Sequence, residues 1–223
     1  LGINEAARVT CVKPEGTSSL VLESASGIHP HHARRYFRRV QCNRLDPIYK
    51  YAKSFNKHAC EESVWSINKT DEIITFPVEV SDKAIIKSNL SAIEHLKIAK
   101  STYENWVLGG TASANKKPVT HNVSITVIVK EEEWSEVIDF LYNNRQSFGA
   151  VSFIPNSGDK DYKQAPLEAI VTEEDEKRWL ELTSNFVTID YSKLKEEEDN
   201  TKAQDTVACG GGSCELTMEP VNT

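Results

Sequence analysis

Between residues 121 and 155 the chain changes its hydrophobic period twice. His121, Val123, Ile125, Val127 and Val129 alternate with Asn122, Ser124 and Thr126, the two-residue rhythm of a strand with two distinct faces. Trp134, Val137, Ile138, Leu141 and Tyr142 then fall at i, i+3, i+4, i+7 and i+8, a helical stripe. "GAVSFIP" follows as an apolar run, expected to be a buried strand that stops at Pro155. Strands alternating with helices restrict the chain to α/β architecture with parallel or mixed pairing.

The remaining segments fit that frame. "RVTCV" is a short β-rich run halted by Lys13-Pro14, because proline lacks the donor that a central strand needs. "GTSSLVLES" fits a short helix opened by Thr17 or Ser18, "SGIHPHH" a loop, and "RYFRRVQ" either strand or helix. Asp46 as cap with Pro47 at the first position predicts a helix over residues 46–56. "DEIITFPVEV" reads as a strand broken by Pro77. Ala92, Leu96, Ala99, Tyr103 and Trp106 predict an amphipathic helix over residues 91–107. Thr172 caps a last helix that carries Glu173, Glu174 and Asp175 in its first turn and runs to about Leu182.

After Tyr191 the composition changes to "SKLKEEEDNTKAQDT", charged and without aromatics, which cannot bury enough surface to order itself. Two regions are therefore expected: residues 1–191, folded, and residues 192–223, a disordered tail. Extended, the stretch from Tyr191 to Cys209 reaches up to roughly 60 Å at about 3.3 Å per residue. The chain opens on Leu1 with "LGINEAAR", the end of a helix without its start, so a fragment of a longer protein is expected. No charged-then-apolar leader and no apolar run of membrane-spanning length are visible, which makes the cytoplasm the expected compartment and gives no sign of a membrane. A net charge of −7 argues against wholesale binding to a nucleic acid polymer. Five of the eight arginines nevertheless crowd into Arg34, Arg35, Arg38, Arg39 and Arg44, to meet a phosphate or to form a salt-bridged structural patch.

Cys209 and Cys214 enclose Gly210, Gly211, Gly212 and Ser213, residues with little steric resistance to any turn. The two thiols can close into a disulfide and reopen. Zinc would need four ligands, and the tail holds no histidine and no second cysteine pair, so a metal reading requires another chain. Two free thiols on a loose end is the other bland reading. A redox arm that swings between partners by thiol–disulfide exchange accounts for the spacing and for the tether. Glu215 beside Cys214 would raise that thiol's pKa, so activation has to come from wherever the arm docks.

"VKPEGTSSLV" joins a β-rich run, a Pro-Glu-Gly-Thr turn and a helix start. Amides of Gly16, Thr17 and Ser18 at a helix N-terminus favour an anion, although an ordinary strand-to-helix turn has the same pattern. It lacks the GxxxxGK[ST] spacing of a Walker loop. His29, His31 and His32 cluster in the next loop, without a nearby carboxylate or thiol to complete a metal site, and are read as solvated or hydrogen-bonded.

Taken in order, "VKPEGTSSLVLESASGIHPHHARRYFRRV", "HNVSITVIV", "GAVSFIP", "QAPLEAI" and "CGGGSC" resemble the C-terminal part of the adenosylcobalamin-dependent, monomeric class II ribonucleoside-triphosphate reductases. The resemblance implies the C-terminal portion of a ten-stranded ribonucleotide reductase-type α/β barrel with a disordered redox tail. It implies an enzyme that replaces the ribose 2′-hydroxyl of a ribonucleoside triphosphate by hydrogen, with adenosylcobalamin generating a thiyl radical and a cysteine pair supplying two electrons. By the same resemblance Pro14, Glu15, Gly16, Thr17 and Ser18 hold the substrate phosphates. Cys209 and Cys214 are the shuttle pair, themselves reduced by thioredoxin or a similar dithiol.

The family's radical-bearing Asn-Pro-Cys motif is absent from this chain, and the allosteric nucleotide site is expected upstream. An N-terminal remainder is therefore an expected partner, and the chain alone is expected to be inactive. No residue matches the family's cobalamin contacts, and Cys11, Cys42 and Cys60 are read as structural thiols. The alternatives are the large subunit of a metal-radical reductase and a stand-alone module for a phosphate ligand, zinc or redox sensing.

Overall fold

In this computed structural model the described residues are 2–3, 6–16, 18–112, 120–156 and 163–195. They form helix α1 (Ser18–Val21), strand β1 (Arg35–Asn43), helix α2 (Pro47–Phe55), strands β2 (Cys60–Glu62) and β3 (Asp71–Glu79), and helix α3 (Ala92–Thr102). Strand β4 (Thr126–Val129), helix α4 (Trp134–Asn143), strands β5 (Ser152–Pro155) and β6 (Leu167–Ala169) and helix α5 (Glu173–Asn185) complete them. The chain divides into two units, one made of Leu1–Arg34 and Val80–Lys160, the other of Arg35–Glu79 and Asp161–Thr223.

The first unit is the strand–helix–strand segment with α3 packed beside it. β4 and β5 pair in parallel, Thr126 opposite Ser152 and Val129 opposite Pro155. Val123, Ile125, Val127 and Val129 all turn inward on Leu96, Ala99 and Val137, as their alternation predicts. α3 starts where a reciprocal capping box forms: the Ser91 hydroxyl accepts from Glu94 N, and the Glu94 carboxylate accepts from Ser91 N.

Four expectations for this unit are corrected. The helix beyond Thr102 continues as a π turn, Tyr103–Val107, which inserts an extra residue into the rotation. Val107 is thereby fully buried and Trp106, expected on the apolar face, is exposed. β5 is not buried: it forms one side of a two-stranded sheet, and Ile154 is 51% exposed. On α4 the stripe is narrower than its spacing, since Val137 is buried while Ile138 and Tyr142 are exposed. Residues 8–12 run extended beside residues 106–111, held by single bridges from Arg8 to Thr111 and from Val12 to Val123 rather than by a strand.

The second unit is a four-stranded sheet in the order β2-β3-β1-β6, every neighbouring pair antiparallel. "RYFRRVQ" is thus strand, and the larger sheet has none of the parallel pairing anticipated. Pro77 does not break β3. It lies opposite Phe37 of β1 at a position past the end of β2, whose pairing stops at Ile74, so its missing N–H deprives no partner. α2 and α5 cover this sheet through Tyr49, Ala52, Trp179 and Leu182. Asp46 caps α2 by accepting from Ile48 N and Tyr49 N, and Thr172 and Asp175 form a capping box on α5, which runs three residues beyond the predicted end. Fold class is thus mixed helix and sheet, and no closed barrel forms among the described residues.

Candidate functional site

Pro14, Glu15, Gly16 and Ser18 share one exposed turn, and Thr17 lies outside the described residues. Val12 anchors its entry: its carbonyl accepts from Ser124 N at 3.2 Å, tying the turn to the run that becomes β4. Glu15 takes a left-handed φ of 53°, a strained value for a residue with a side chain, and Gly16 then feeds α1. A Cβ placed on Gly16 would meet nothing within 4 Å, so nothing in the fold itself demands glycine there.

The turn is braced from behind by the Ser-Gly-Ile-His segment. Ser26 Oγ donates to Pro14 O. Gly27, at φ 58°, presses against the same strand of backbone, and a Cβ on it would stand 2.6 Å from Lys13 O. Ser26 O accepts from both the amide and the Nδ1–H of His29, and His29 Nε2 accepts from Thr126 N at 3.1 Å. Those two ring contacts define a neutral imidazole with its proton on Nδ1. His95, buried on α3, donates from Nε2 to Ile28 O at 3.0 Å and meets His29 edge to face at 5.4 Å. Burial lowers the His95 pKa, against the opposing pull of the Ile28 carbonyl. His29 is therefore a hydrogen-bonded structural residue, as read from the sequence. Gly27 and His95 were not singled out: His95 carries no local signal, since its partner lies far away in the sequence.

The arginine cluster is largely spent on structure. Arg35 pairs with Glu176 at 2.6 Å and lies over the Trp179 ring, Arg39 binds Glu168 and Ala165 O, and Arg44 reaches Glu72 at 3.0 Å. Arg34 binds Ser81 O and Ala84 O. Glu72, buried on β3, also accepts from Tyr49 and Lys53. Cys42 and Cys60 are free thiols near it; burial first, then Asp46, pushes the Cys42 thiol up to about 11, and burial raises that of Cys60. Neither is primed for exchange. Cys11 is free and exposed. Cys209 and Cys214 lie outside the described residues. Among the described residues no group of three or more His, Cys, Asp or Glu side chains could hold a metal ion, and no helix is long and apolar enough to cross a membrane.

The fold is that of a known class of structure. A crystal structure of a B-12 dependent (class II) ribonucleotide reductase matches 79% of this chain with 23% of its own, at a TM-score of 0.60 and 21% identity. The sequence points the same way. The chain is 27% identical over 216 residues to the adenosylcobalamin-dependent ribonucleoside-triphosphate reductase of Lactobacillus delbrueckii subsp. bulgaricus, 26% to that of Lactobacillus leichmannii and 27% over 222 residues to that of Levilactobacillus brevis. These matches take in 97% of the chain but only 27–28% of the relatives, so it spans just over a quarter of their length. No protein-family model matches it.

Proposed function

We propose that this chain is the C-terminal part of an adenosylcobalamin-dependent ribonucleoside-triphosphate reductase, carrying the substrate-phosphate loop and the electron-delivering arm. The observation that carries this reading is the likeness to reductases of that name along 97% of the chain. In it, residues 1–191 are the C-terminal part of a ten-stranded barrel, completed by an N-terminal remainder, and its adjoining helices and strands; residues 192–223 are the arm, and the enzyme works in the cytoplasm. The two-stranded β4–β5 sheet with its exposed Ile154 supports such completion, because parallel strands are normally covered on both faces.

Pro14, Glu15, Gly16, Thr17 and Ser18 bind the triphosphate of a ribonucleoside triphosphate through backbone amides, on a turn braced by Gly27 and His29. Cys209 and Cys214 restore the active site between turnovers. One thiolate attacks the active-site disulfide, the second resolves the mixed disulfide, and two electrons and two protons pass to the site as the arm itself becomes a disulfide. Thioredoxin or a similar dithiol then reduces the arm. Adenosylcobalamin enters through the relatives' names. No residue of this chain is assigned to it.

The test uses the complete enzyme with Cys209 and Cys214 both changed to Ser. A first turnover from reduced active-site thiols should proceed at near-normal rate, whereas steady-state activity with thioredoxin should collapse and a small diffusible dithiol should restore much of it. Undiminished multiple turnover with thioredoxin as sole reductant would remove the arm from the reaction.

A further inference from the structure

The loop joining β2 to β3 exposes large apolar side chains from a rigid frame. Val64 is 56%, Trp65 44% and Ile67 84% exposed. The loop is nonetheless pinned throughout. Ser66 Oγ accepts from Thr70 N and Asp71 N, Lys69 N donates to Ser66 O, and Ser63 N to Asp71 O. From the segment before β6, Gln164 accepts from Val64 N and donates to Glu62 O, while the Trp65 indole donates to Lys163 O. Burying such apolar side chains is favourable, and a loop already held in place loses little entropy when something covers it.

We propose that this hairpin tip is the docking surface for the chain's own C-terminal segment, residues 215–221. Residues 63–70 contain Lys69 and no acidic residue. Residues 206–223 contain Glu215 and Glu219 and no lysine or arginine, and they offer Leu216, Met218 and Val221. Apolar side chains and charge therefore match. Length is no obstacle: residues 196–215 extend up to roughly 65 Å at about 3.3 Å per residue, starting from the unit that bears the tip. The contact uses none of the cysteines, so it stands apart from the redox reading.

The test places a photoreactive benzoylphenylalanine at Ile67 in the full 223-residue chain, an exposed position whose replacement leaves the core untouched. Irradiation should give an intrachain cross-link to the peptide containing residues 215–221. Leu216→Asp with Met218→Asp should cut its yield about tenfold and speed amide exchange at residues 64–69, with both cysteines intact. Cross-links to a second copy or elsewhere on the chain, or unchanged exchange in that variant, overturn the proposal.

Discussion

Gly27 sits with φ at 58° and with Lys13 O only 2.6 Å from where a Cβ would be, whereas Gly16 has open space in that direction. Gly27→Ala should therefore cost about 1–3 kcal/mol, while Gly16→Ala should stay within about 0.5 kcal/mol; urea unfolding separates them. Equal losses would mean that the brace behind the turn carries no strain. On the reading proposed for the turn, Gly16→Val should still weaken nucleotide binding in the complete enzyme, measured by equilibrium titration, although it costs the fold little. A second residue sets acid behaviour. Burial pushes the Glu72 carboxyl up, but donors on Lys53, Tyr49 and Arg44 outweigh it and hold it at about 2 against an ordinary 4.5. Its folded pKa lies below its unfolded one, so its contribution is complete above about pH 4.5 and is lost as pH falls toward 2. Glu72→Gln should be less stable at neutral pH, by about 3 kcal/mol with three donors left facing a weaker acceptor, and should lose less stability than the parent between pH 4.5 and 2.5. Parallel pH curves for the two proteins would remove Glu72 from the acid response.

At the scale of elements, local chemistry and packing compete, and the outcome differs from one element to the next. α3 begins where Ser91 and Glu94 satisfy each other's backbone donors, so Ser91→Ala should cost about 1 kcal/mol and fray the first turn, seen as faster exchange of the Glu94 amide that the Ser91 hydroxyl holds. The same helix departs from its 3.6 period at Tyr103–Val107, a change that no spacing of apolar residues announced. Pro77 read as a strand breaker because proline cannot donate. Whether a donor was needed there depends on how far β2 reaches along β3, and that is a property of the sheet.

For the whole molecule, association should follow from the smaller sheet. β4 and β5 make a sheet of two parallel strands, and such pairs ordinarily have further strands beside them and layers on both faces. The isolated chain should self-associate as its concentration rises, and Ile154→Lys should reduce that association in sedimentation velocity. A monomer at every concentration would count against an incomplete sheet.

The turn at Pro14–Ser18, the caps at Asp46 and Thr172, and the inward alternation from Val123 to Val129 were legible before any coordinates, because each depends on residues within a few positions of one another. The cysteine pair is visible as composition and spacing alone, and it lies outside the described residues. The antiparallel order of the larger sheet, the exposure of β5, and the neutral, Nδ1-protonated state of His29 were not legible. They follow from pairings such as His29 with Thr126 and Arg35 with Glu176, made between segments far apart in the chain. Propensity acts over one turn or one strand, whereas strand neighbours, burial and charge partners are fixed only when distant segments meet.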